Sequence, residues 1–402
     1  MIVDIIDMLL SEECWESFLE YKLSKNSLRK AEKEDLIAFV RNKEFIDPVT
    51  RISTELKLTV PSVSRLNKKG SDKKRIVFTF CREENYVLKL LAFLLKDYDS
   101  LFADNLYSFR RNSGVKHALN AVMKKLDYSK TYSYKVDIHD YFNSVNTDFM
   151  IKILRDAIPQ QKRLIQLLVN VLTDPYASDN GKIITIRKGI MAGVPFSGFL
   201  ANLYLREMDE WFYENNARYI RYSDDIIVLS EDKNEIIKYE KTIRKYLEIH
   251  KLTVNEKKEA WTTPGDNIEF LGFSFSLKQI DISKITLKKL KNKLKRKARS
   301  LYRWRLKKGL EGEKAAIAYI RYLNAKFYNN PVKNEITWCR WYFPVITTDN
   351  SLKVIDQYCI DCIRYLYTGR YGKQNYNIRY ETIKGLGFQS LVNNYWKYKT
   401  SN

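Results

Sequence analysis

Two short β-rich runs, separated by only three residues, constrain this chain more than any other feature of its sequence. The runs are residues 218–222 and 226–229, and Ser-Asp-Asp lies between them. Because so short a connection joins neighbouring antiparallel strands, the sequence predicts a tight hairpin with Asp224 and Asp225 at its tip. Aspartate is also an ordinary turn residue, so this pair alone does not establish a site.

A third carboxylate, Asp137, falls on another predicted strand. Residues 132–138 alternate large apolar with polar side chains, which predicts a half-buried strand with Asp137 on its polar face. Asp137 and Asp224 are 87 residues apart, so only tertiary folding can bring them together, and residues 198–216 between them predict one helix. Three clustered carboxylates would suit Mg²⁺, which prefers oxygen ligands, and two such ions can catalyse phosphoryl transfer.

The charge balance predicts a polyanionic partner. The 402 residues include 70 Lys and Arg against 48 Asp and Glu, a net charge of +22, which favours nucleic acid or an anionic membrane. No apolar run is long enough for a membrane-spanning helix, so nucleic acid is the favoured partner and no membrane contact is expected. Five scattered cysteines indicate a reducing, cytoplasmic compartment. We expect Cys359 and Cys362 to be small apolar residues on one helix face rather than zinc ligands.

One segment concentrates the basic residues. Every charged residue in the range 284–308 is Lys or Arg, and Leu287, Leu290, Leu294, Ala298 and Leu301 recur there at helical spacing. The pattern predicts an amphipathic helix with one face on a core and a wide cationic face. A solvated helix usually interleaves acidic residues, so we favour contact with a nucleic-acid backbone. The expected contacts are Lys288, Lys291, Lys295, Arg296, Arg299 and Arg303.

Seven segments give the sequence a specific resemblance. They are residues 74–76, 107–110, 136–145, 189–202, 222–225, 252–258 and 269–273. In this order they resemble the motifs of reverse transcriptases, of the bacterial kind related to group II intron and retron enzymes. Tyr222-Ser223-Asp224-Asp225 matches the Y-x-D-D catalytic hairpin of that family.

The resemblance implies an α+β right-hand polymerase. The fingers would include residues 1–133, the palm residues 134–279 with an antiparallel split βαβ sheet, and the helical, basic thumb and RNA-binding region residues 280–402. It implies two Mg²⁺ ions, with Mn²⁺ as an alternative. The expected partners are an RNA template, a DNA primer or product, and dNTPs.

Roles follow for the residues that match the motifs. Asp137, Asp224 and Asp225 would be catalytic and would hold the metal ions, and Ile138 belongs to the same expected metal site. Phe142 would be a steric gate against the ribose 2′-hydroxyl. The other expected contacts are Lys74, Arg75 and Arg110 to triphosphate or template phosphates, Asp140 and Tyr141 to the triphosphate through their backbone, Gly193 to the nascent base pair, Lys258 to pyrophosphate, and Tyr222 to nucleic acid.

The sequence also departs from the family pattern. Met191 and Ala192 replace the usual Pro-Gln before Gly193, and Gly198 replaces a usual Pro. With the C-terminal region, this combination resembles the antiviral defence-associated reverse transcriptases, which copy a small partner non-coding RNA. The alternatives are a retron or group II intron-like enzyme, a non-catalytic RNA-binding scaffold, and an RNA-dependent RNA polymerase or untemplated terminal transferase.

Overall fold

A computed structural model describes residues 3–24, 28, 30–67, 74–111, 113–124, 127–187, 189–276, 279–328 and 338–401. Its α-helices are α1 Ile5–Met8, α2 Glu12–Ser24, α3 Lys30–Arg41, α4 Ile46–Glu55, α5 Arg82–Leu94, α6 Val115–Met123, α7 Tyr141–Ser144, α8 Thr147–Ala157, α9 Lys162–Thr173, α10 Ser197–Tyr204, α11 Arg206–Glu214, α12 Lys233–Ile249, α13 Lys284–Lys307, α14 Gly312–Phe327, α15 Trp338–Tyr342, α16 Asn350–Thr368, α17 Tyr380–Gly385 and α18 Leu391–Thr400. The 3₁₀ helices are Leu95–Leu101, Glu256–Lys258 and Lys373–Asn377. None of the helices in these ranges combines the length and hydrophobicity that a membrane crossing requires.

The strands form three sheets. They are β1 Ser62–Asn67, β2 Lys74–Thr79, β3 Tyr132–Asp137, β4 Tyr176–Asp179, β5 Lys182–Thr185, β6 Arg218–Tyr222, β7 Asp225–Ser230, β8 Ala260–Thr262, β9 Ile268–Phe270, β10 Phe273–Ser276 and β11 Gln279–Ile282. The sheet orders are β2-β1-β4-β5, β6-β7-β3-β8 and β11-β10-β9. The chain divides into two compact units, residues 1–25 with 31–266, and residues 26–30 with 267–402. The boundaries predicted after residues 133 and 279 stay predictions.

The β6-β7-β3-β8 sheet carries the predicted hairpin. β6 and β7 pair antiparallel with Tyr222 opposite Asp225, which confirms the hairpin. β7 continues as Ile226-Ile227-Val228-Leu229-Ser230, all buried, because it lies between β6 and β3 and helix α12 packs on it. α12 begins at a capped end, where the Asp232 side chain accepts a hydrogen bond from the Asn234 N–H.

Strand β3 is more deeply buried than its alternating pattern predicts. Ser133 and Asp137, on the polar face, are as inaccessible as Tyr134 and Val136 on the apolar face. The strand is confirmed, but Ser133 and Asp137 on its polar face are more buried than a half-buried strand predicts. The polar face is covered because its side chains find polar partners, as Ser133 does by sharing a 2.6 Å hydrogen bond with Thr262 on β8.

The predicted helix over residues 198–216 is wrong in one respect, because two helices occupy that range. α10 ends at Tyr204, α11 begins at Arg206, and Leu205 between them has φ −114° and ψ 17°. All eight residues of α10 are buried, whereas α11 has the two-sided pattern of a surface helix, with Glu207 exposed and Met208 buried. The break at Leu205 allows α10 to be buried on all sides while α11 buries only one face.

The rest of the first unit surrounds an aromatic core and a second sheet. The Trp15 ring is fully buried and stacks on Phe45 at 4.8 Å between ring centroids. β1 pairs antiparallel with β2 and parallel with β4. The Phe78 N–H of β2 donates to the Ala192 carbonyl at 2.8 Å, which fixes the loop before α10 against this sheet.

The second unit contains the predicted basic helix and a small antiparallel sheet. α13 packs against α14 and α16 through Leu290, Leu294 and Ala298, which are buried. This confirms the amphipathic pattern, although Leu287 and Leu301 are only half-buried. Cys359 and Cys362 are buried, unpaired thiols on α16, so their prediction as apolar helix residues is confirmed.

Candidate active site

The fold brings two of the predicted aspartates face to face. Asp137, the last residue of β3, pairs across the antiparallel ladder with Asp225, the first residue of β7. The Ile138 N–H donates to the Asp224 carbonyl at 3.1 Å, so Asp137 and Asp225 form a non-hydrogen-bonded pair. Cα atoms in such pairs are only about 4.5 Å apart, and the side chains leave the same face of the sheet. Asp137 and Asp225, far apart in sequence, therefore lie side by side at the adjacent ends of β3 and β7.

The turn between β6 and β7 presents the third aspartate. Ser223 and Asp224 form a two-residue loop, and Ser223 has φ +61°. A positive φ at the first loop residue is typical of a type II′ turn, which matches the twist of the flanking strands. Asp224 and Asp225 are half-buried, and Asp137 is buried with 2% of its surface exposed.

The electrostatics of this strand end favour a bound cation. The pKa of Asp225 is raised to about 6, chiefly by burial and also by the neighbouring Asp224 and Asp137 carboxylates, against the opposing effect of Lys258 and Lys135. Two adjacent acids and a desolvated third destabilise the fully ionised state. A positive charge placed among them would relieve this repulsion.

Asp137 is already held by two side chains from the segment before β8. Lys258 Nζ donates to its Oδ1 at 2.5 Å, and Asn255 Nδ2 donates to its Oδ2 at 2.9 Å. The Asn255 N–H also donates to the Asp137 carbonyl at 2.7 Å. Lys258 therefore lies at the aspartates, and Asn255 joins the site as a residue that sequence reasoning did not select.

The donor set fits a divalent metal ion, although the side chains are not arranged around one. Carboxylate oxygens are the ligands that Mg²⁺ prefers, and the Asp224 and Asp137 carboxylates lie close enough to Asp225 to add to the rise of its pKa. In the described parts of the chain, no three His, Cys, Asp or Glu side chains converge on a common point. The Asp137 carboxylate is instead directed to Lys258 and Asn255.

A buried ion pair is hydrogen-bonded to the turn between β6 and β7. Arg221, fully buried on β6, forms a salt bridge with the buried Asp209 of α11, and its Nε donates to Asp209 Oδ1 at 2.8 Å. Burial disfavours the guanidinium charge, but the Asp209 carboxylate outweighs burial and raises the pKa of Arg221. Arg221 also donates to the carbonyls of Ser223, at 3.3 Å, and Asn202, at 3.1 Å. It thus ties the turn to α10.

Ser108 holds the same turn through the backbone of Ser223. The Ser223 N–H donates to Ser108 Oγ at 2.9 Å, and Ser108 Oγ donates to Asn202 Oδ1 at 3.2 Å. Asn202 Nδ2 returns a 2.8 Å hydrogen bond to the Ser108 carbonyl. We call Ser108, Asn202, Asp209 and Arg221 the turn clamp. Its members are buried and were not selected as site residues, although an arginine inside an apolar strand such as β6 was an available signal.

The predicted nucleotide pocket is assembled beside Asp137 by helix α7. Asp140 lies at its N-cap in the left-handed region, with φ +45°, and Tyr141 is buried with its hydroxyl donating to the Ala201 carbonyl at 2.6 Å. The Phe142 carbonyl accepts from the Ile190 N–H at 2.9 Å. Gly189 has φ +53°, and a Cβ there would overlap the Phe142 carbonyl oxygen, so only glycine allows this approach.

Phe109 adds a second aromatic ring beside the predicted steric gate. Its ring meets the half-buried Phe142 ring edge-on, at 6.3 Å between centroids. A Cβ on Gly198 would come within 2.7 Å of the Phe109 ring, although Phe109 itself is half exposed. The replacement of the usual Pro by Gly198 therefore makes room for Phe109, a residue that sequence reasoning assigned no role.

The remaining predicted pocket residues have mixed placements. Gly193, at φ +100°, lies against β2, where a Cβ would be 3.0 Å from the Phe78 carbonyl. Arg110 donates to the carbonyls of Ala103, at 2.8 Å, Leu106 and Asp99, so its guanidinium stabilises the preceding loop, and its contact with phosphate stays a prediction. The side chains predicted to bind phosphate from β2, Lys74 and Arg75, lie outside the described residues.

The predicted nucleic-acid contacts of the second unit lie on α13. Lys288, Arg296, Arg299 and Arg303 are exposed, which leaves their charges available to solvent and ligands. Lys291 and Lys295 are half-buried, with their ammonium groups over the rings of Tyr358, at 5.5 Å, and Tyr371, at 5.9 Å. In the first unit, Tyr222 is half-buried, and burial raises the pKa of its hydroxyl.

Comparisons with known proteins agree with this architecture. The protein family described as "Reverse transcriptase (RNA-dependent DNA polymerase)" matches residues 66–275, which include the three aspartates and the turn clamp. The retron Ec73 reverse transcriptase of Escherichia coli is 33% identical over 141 residues. That match spans 32% of this chain and 40% of the retron protein, so it covers less than half of either.

Solved structures with a similar backbone include two telomerases. The telomerase from Candida albicans in complex with a TWJ fragment of telomeric RNA is 13% identical, with a TM-score of 0.45 over 83% of this chain and 67% of that one. Apo telomerase from Candida tropicalis is also 13% identical, with a TM-score of 0.44 over 83% of this chain and 60% of that one.

The family match covers residues 66–275, about half of the chain, and the antiparallel β6-β7-β3-β8 sheet fits the palm of a right-hand polymerase. This chain therefore belongs to the reverse transcriptase family.

Proposed function

We propose that this protein is an RNA-directed DNA polymerase, which extends a DNA primer with dNTPs on an RNA template. The observation that carries the proposal is the pairing of Asp137 with Asp225 across β3 and β7, with Asp224 in the adjoining turn. Three carboxylates at one strand end repel a phosphate unless cations separate them. Membership of the reverse transcriptase family supports this chemistry over other uses of an acidic site.

Asp137, Asp224 and Asp225, with Ile138 beside them, would hold two Mg²⁺ ions, with Mn²⁺ as an alternative. When bound, these ions would lower the pKa of the primer 3′-hydroxyl and neutralise charge on the leaving pyrophosphate. The protein's own contribution is to fix the carboxylates through the β3–β7 register and the turn clamp. Lys258, bonded to Asp137, is close enough to the carboxylates to donate a proton near the departing pyrophosphate.

Phe142 would select deoxyribonucleotides. Its backbone is fixed by the Ile190 hydrogen bond and its ring by the edge-on contact with Phe109. A ring held in this way resists displacement, so a sugar with a 2′-hydroxyl would clash with it. Asp140 and Tyr141 at the start of α7 would present their backbone to the triphosphate, and Gly193 would lie near the nascent base pair.

The template would be a cognate structured non-coding RNA, copied in antiviral defence in the bacterial cytoplasm. The retron relative and the family motifs support a bacterial reverse transcriptase, and the net charge of +22 supports a nucleic-acid partner. The exposed face of α13 would contact phosphates of the template or of the template–primer duplex. Its basic residues lie on a helix whose opposite face is buried, so they are held in a fixed row.

Primer extension tests the proposal directly. Purified protein with a primed RNA template, Mg²⁺ and dNTPs should extend the primer, and Asp225→Asn should abolish extension. Asp156→Asn, at an exposed acid of α8 in the same unit, is the matched control and should keep full activity. Equal extension by wild type and Asp225→Asn, or none by a folded wild type, would contradict the proposal and favour a non-catalytic RNA-binding scaffold.

Substrate competition separates the other polymerase classes. We expect dNTPs to be incorporated far better than NTPs, and only when an RNA template is annealed to the primer. Preferential NTP incorporation would indicate an RNA-dependent RNA polymerase, whereas extension without a template would indicate a terminal transferase.

A further inference from the structure

The buried carboxylate of Asp137 has a different side-chain partner on each of its two oxygens. Lys258 Nζ donates to Oδ1 at 2.5 Å, and Asn255 Nδ2 donates to Oδ2 at 2.9 Å. Only 3% of the Asp137 side chain is exposed, so solvent can do little to replace either partner. A ligand that needs this carboxylate must therefore share it with these two side chains or displace one of them.

Asn255 is fixed to Asp137 by its backbone as well as by its side chain. Its N–H donates to the Asp137 carbonyl at 2.7 Å, and the preceding residue, Val254, forms an antiparallel bridge with Ile138. Asn255 is half-buried, and its short side chain leaves the amide little freedom once the backbone is held. The bond from Asn255 to Oδ2 is therefore the more durable of the two.

Lys258 can leave Asp137 without any change in the backbone. Its ammonium stands at the end of a flexible four-carbon chain and is readily hydrated. The side chain is 55% exposed, so water can take over from the carboxylate when the ammonium turns away. The bond from Lys258 to Oδ1 is therefore the exchangeable one.

Charge also decides which partner a cation would displace. Asp225 lies opposite Asp137 across β3 and β7, and Asp224 lies in the adjoining turn, so a divalent cation at this strand end would face three carboxylates. A cation and an ammonium group on one carboxylate repel each other strongly at so short a distance. The amide of Asn255 is neutral and does not oppose a cation in this way. Lys258, and not Asn255, is thus the partner that gives way.

We propose that Lys258 leaves Asp137 when a divalent cation binds the aspartates, while Asn255 stays bonded and keeps the carboxylate oriented. Asn255 is then a positioning residue, and Lys258 is a competitor of the metal ion for Asp137. The exchange rests on the proposed function in one respect, that the aspartates bind a divalent cation. Its consequence is that the Lys258 ammonium is free to meet a departing pyrophosphate only after the carboxylates have bound metal.

Binding of Mn²⁺ to the purified chain, without nucleic acid or dNTPs, measures the competition. Free Mn²⁺ is followed by electron paramagnetic resonance in titrations of wild type, Lys258→Met and Lys135→Met. Lys135 is the matched control, because its charge also acts on Asp225 and it lies on β3 two residues before Asp137. Among the described residues, the cation bonded to the Asp137 carboxylate is Lys258.

Lys258→Met should bind Mn²⁺ at least about fivefold more tightly than wild type, because the ion no longer has to break a charged hydrogen bond. Lys135→Met should gain no more than about twofold, since it removes a nearby charge without removing a competitor. Equal gains in the two variants would show an effect of net charge alone. That result, or no gain in Lys258→Met, would contradict the proposal.

Asn255→Ala should change the Mn²⁺ affinity in the opposite direction. Loss of a group that orients a metal ligand lowers the affinity by about 10–100-fold, so binding should weaken at least about tenfold. Thr253→Ala, at an exposed side chain of the same segment, is the control and should bind like wild type. If Asn255→Ala lowers the melting temperature but keeps the wild-type Mn²⁺ affinity, Asn255 only stabilises the fold and its positioning role is refuted.

Acetylation of the wild-type chain follows Lys258 without any substitution. An amine-reactive ester is applied in Mg²⁺ or in NaCl of equal ionic strength, and the labelled lysines are read by mass spectrometry. Lys258 should label severalfold faster in Mg²⁺, because its ammonium has left the carboxylate, whereas the adjacent, exposed Lys257 should label equally in both. Unchanged labelling of Lys258 at saturating Mg²⁺, or an equal rise at both lysines, would overturn the exchange.

The exchange and the proposed function fail in different ways. A folded wild type that binds no Mn²⁺ would overturn both. Wild type and Lys258→Met with the same Mn²⁺ affinity would overturn the exchange alone, whether or not the enzyme extends primers.

Discussion

Replacing Ser108 by alanine would remove the part of the turn clamp that holds the Ser223 backbone. Ser108 Oγ accepts from the Ser223 N–H at 2.9 Å and donates to Asn202 Oδ1 at 3.2 Å, and all three residues are buried. Alanine leaves both partners without that hydrogen bond. A buried polar group without a partner costs about 1–3 kcal/mol, so with two such groups the free energy of unfolding should fall by roughly 2–6 kcal/mol.

The same loss should slow nucleotide addition, because Ser223 precedes Asp224 and Asp225 in the turn. A turn freed from Ser108 would sample orientations in which the two carboxylates no longer face Asp137. If losing the hydrogen bonds of Ser108 raises the activation free energy by about 2 kcal/mol, kcat falls roughly 30-fold, since about 1.4 kcal/mol corresponds to a factor of ten in rate. The KM for dNTP should change little, because the predicted nucleotide pocket is left intact.

Single-turnover primer extension, paired with urea unfolding, measures both effects. Ser108→Thr keeps the hydroxyl and should recover most of the rate, and Ser100→Ala, at an exposed position of the same unit, should match wild type. A Ser108→Ala enzyme that loses stability but extends primers at the wild-type rate would refute the argument. In that case the clamp would stabilise the fold without orienting the turn.

Three other predictions concern the pocket and the carboxylates. Phe142→Ala should raise ribonucleotide incorporation at least about tenfold relative to deoxyribonucleotide, whereas Phe142→Tyr keeps the ring and should not; unchanged sugar selectivity in Phe142→Ala would exclude the gate. Gly189→Ala should lower the free energy of unfolding in urea by roughly 2 kcal/mol or more, because the φ of Gly189 is positive and the added Cβ would meet the Phe142 carbonyl. Gly114→Ala, with no atom within 4 Å of the added Cβ, should be nearly neutral. Equal effects of the two substitutions would disprove the steric argument. The folded-state pKa of Asp225 is raised to about 6, so the stability linked to this group is present at low pH and lost as pH rises through 6. Mg²⁺ should therefore raise the melting temperature more at about pH 7 than at about pH 5. If Asp225→Asn leaves this difference unchanged, the assignment to Asp225 is contradicted.

Local patterns in the sequence predicted the palm hairpin because their physical cause is local. Only two residues separate β6 from β7, so the connection fixes their pairing. The basic helix α13 was likewise predictable, since Leu290, Leu294 and Ala298 mark its buried face at helical spacing. The burial of Ser133 and Asp137 on the polar face of β3 was not, because it depends on partners such as Lys258 that come from segments far along the chain. The break at Leu205 is also set by surroundings that periodicity does not encode.

The three aspartates of the candidate site were easier to find in the sequence than the residues that hold the turn beside them. The motifs assign a role to Asp137, Asp224 and Asp225, whereas Ser108, which also lies in a motif segment, and Arg221 bond to backbone atoms of the turn, which no side-chain pattern specifies. A buried arginine needs its charge balanced, and Asp209 balances it only in the folded chain. The three carboxylates can therefore lie together because Lys258 and Asn255 hold Asp137 and because hydrogen bonds from Ser108 and Arg221 fix the adjoining turn.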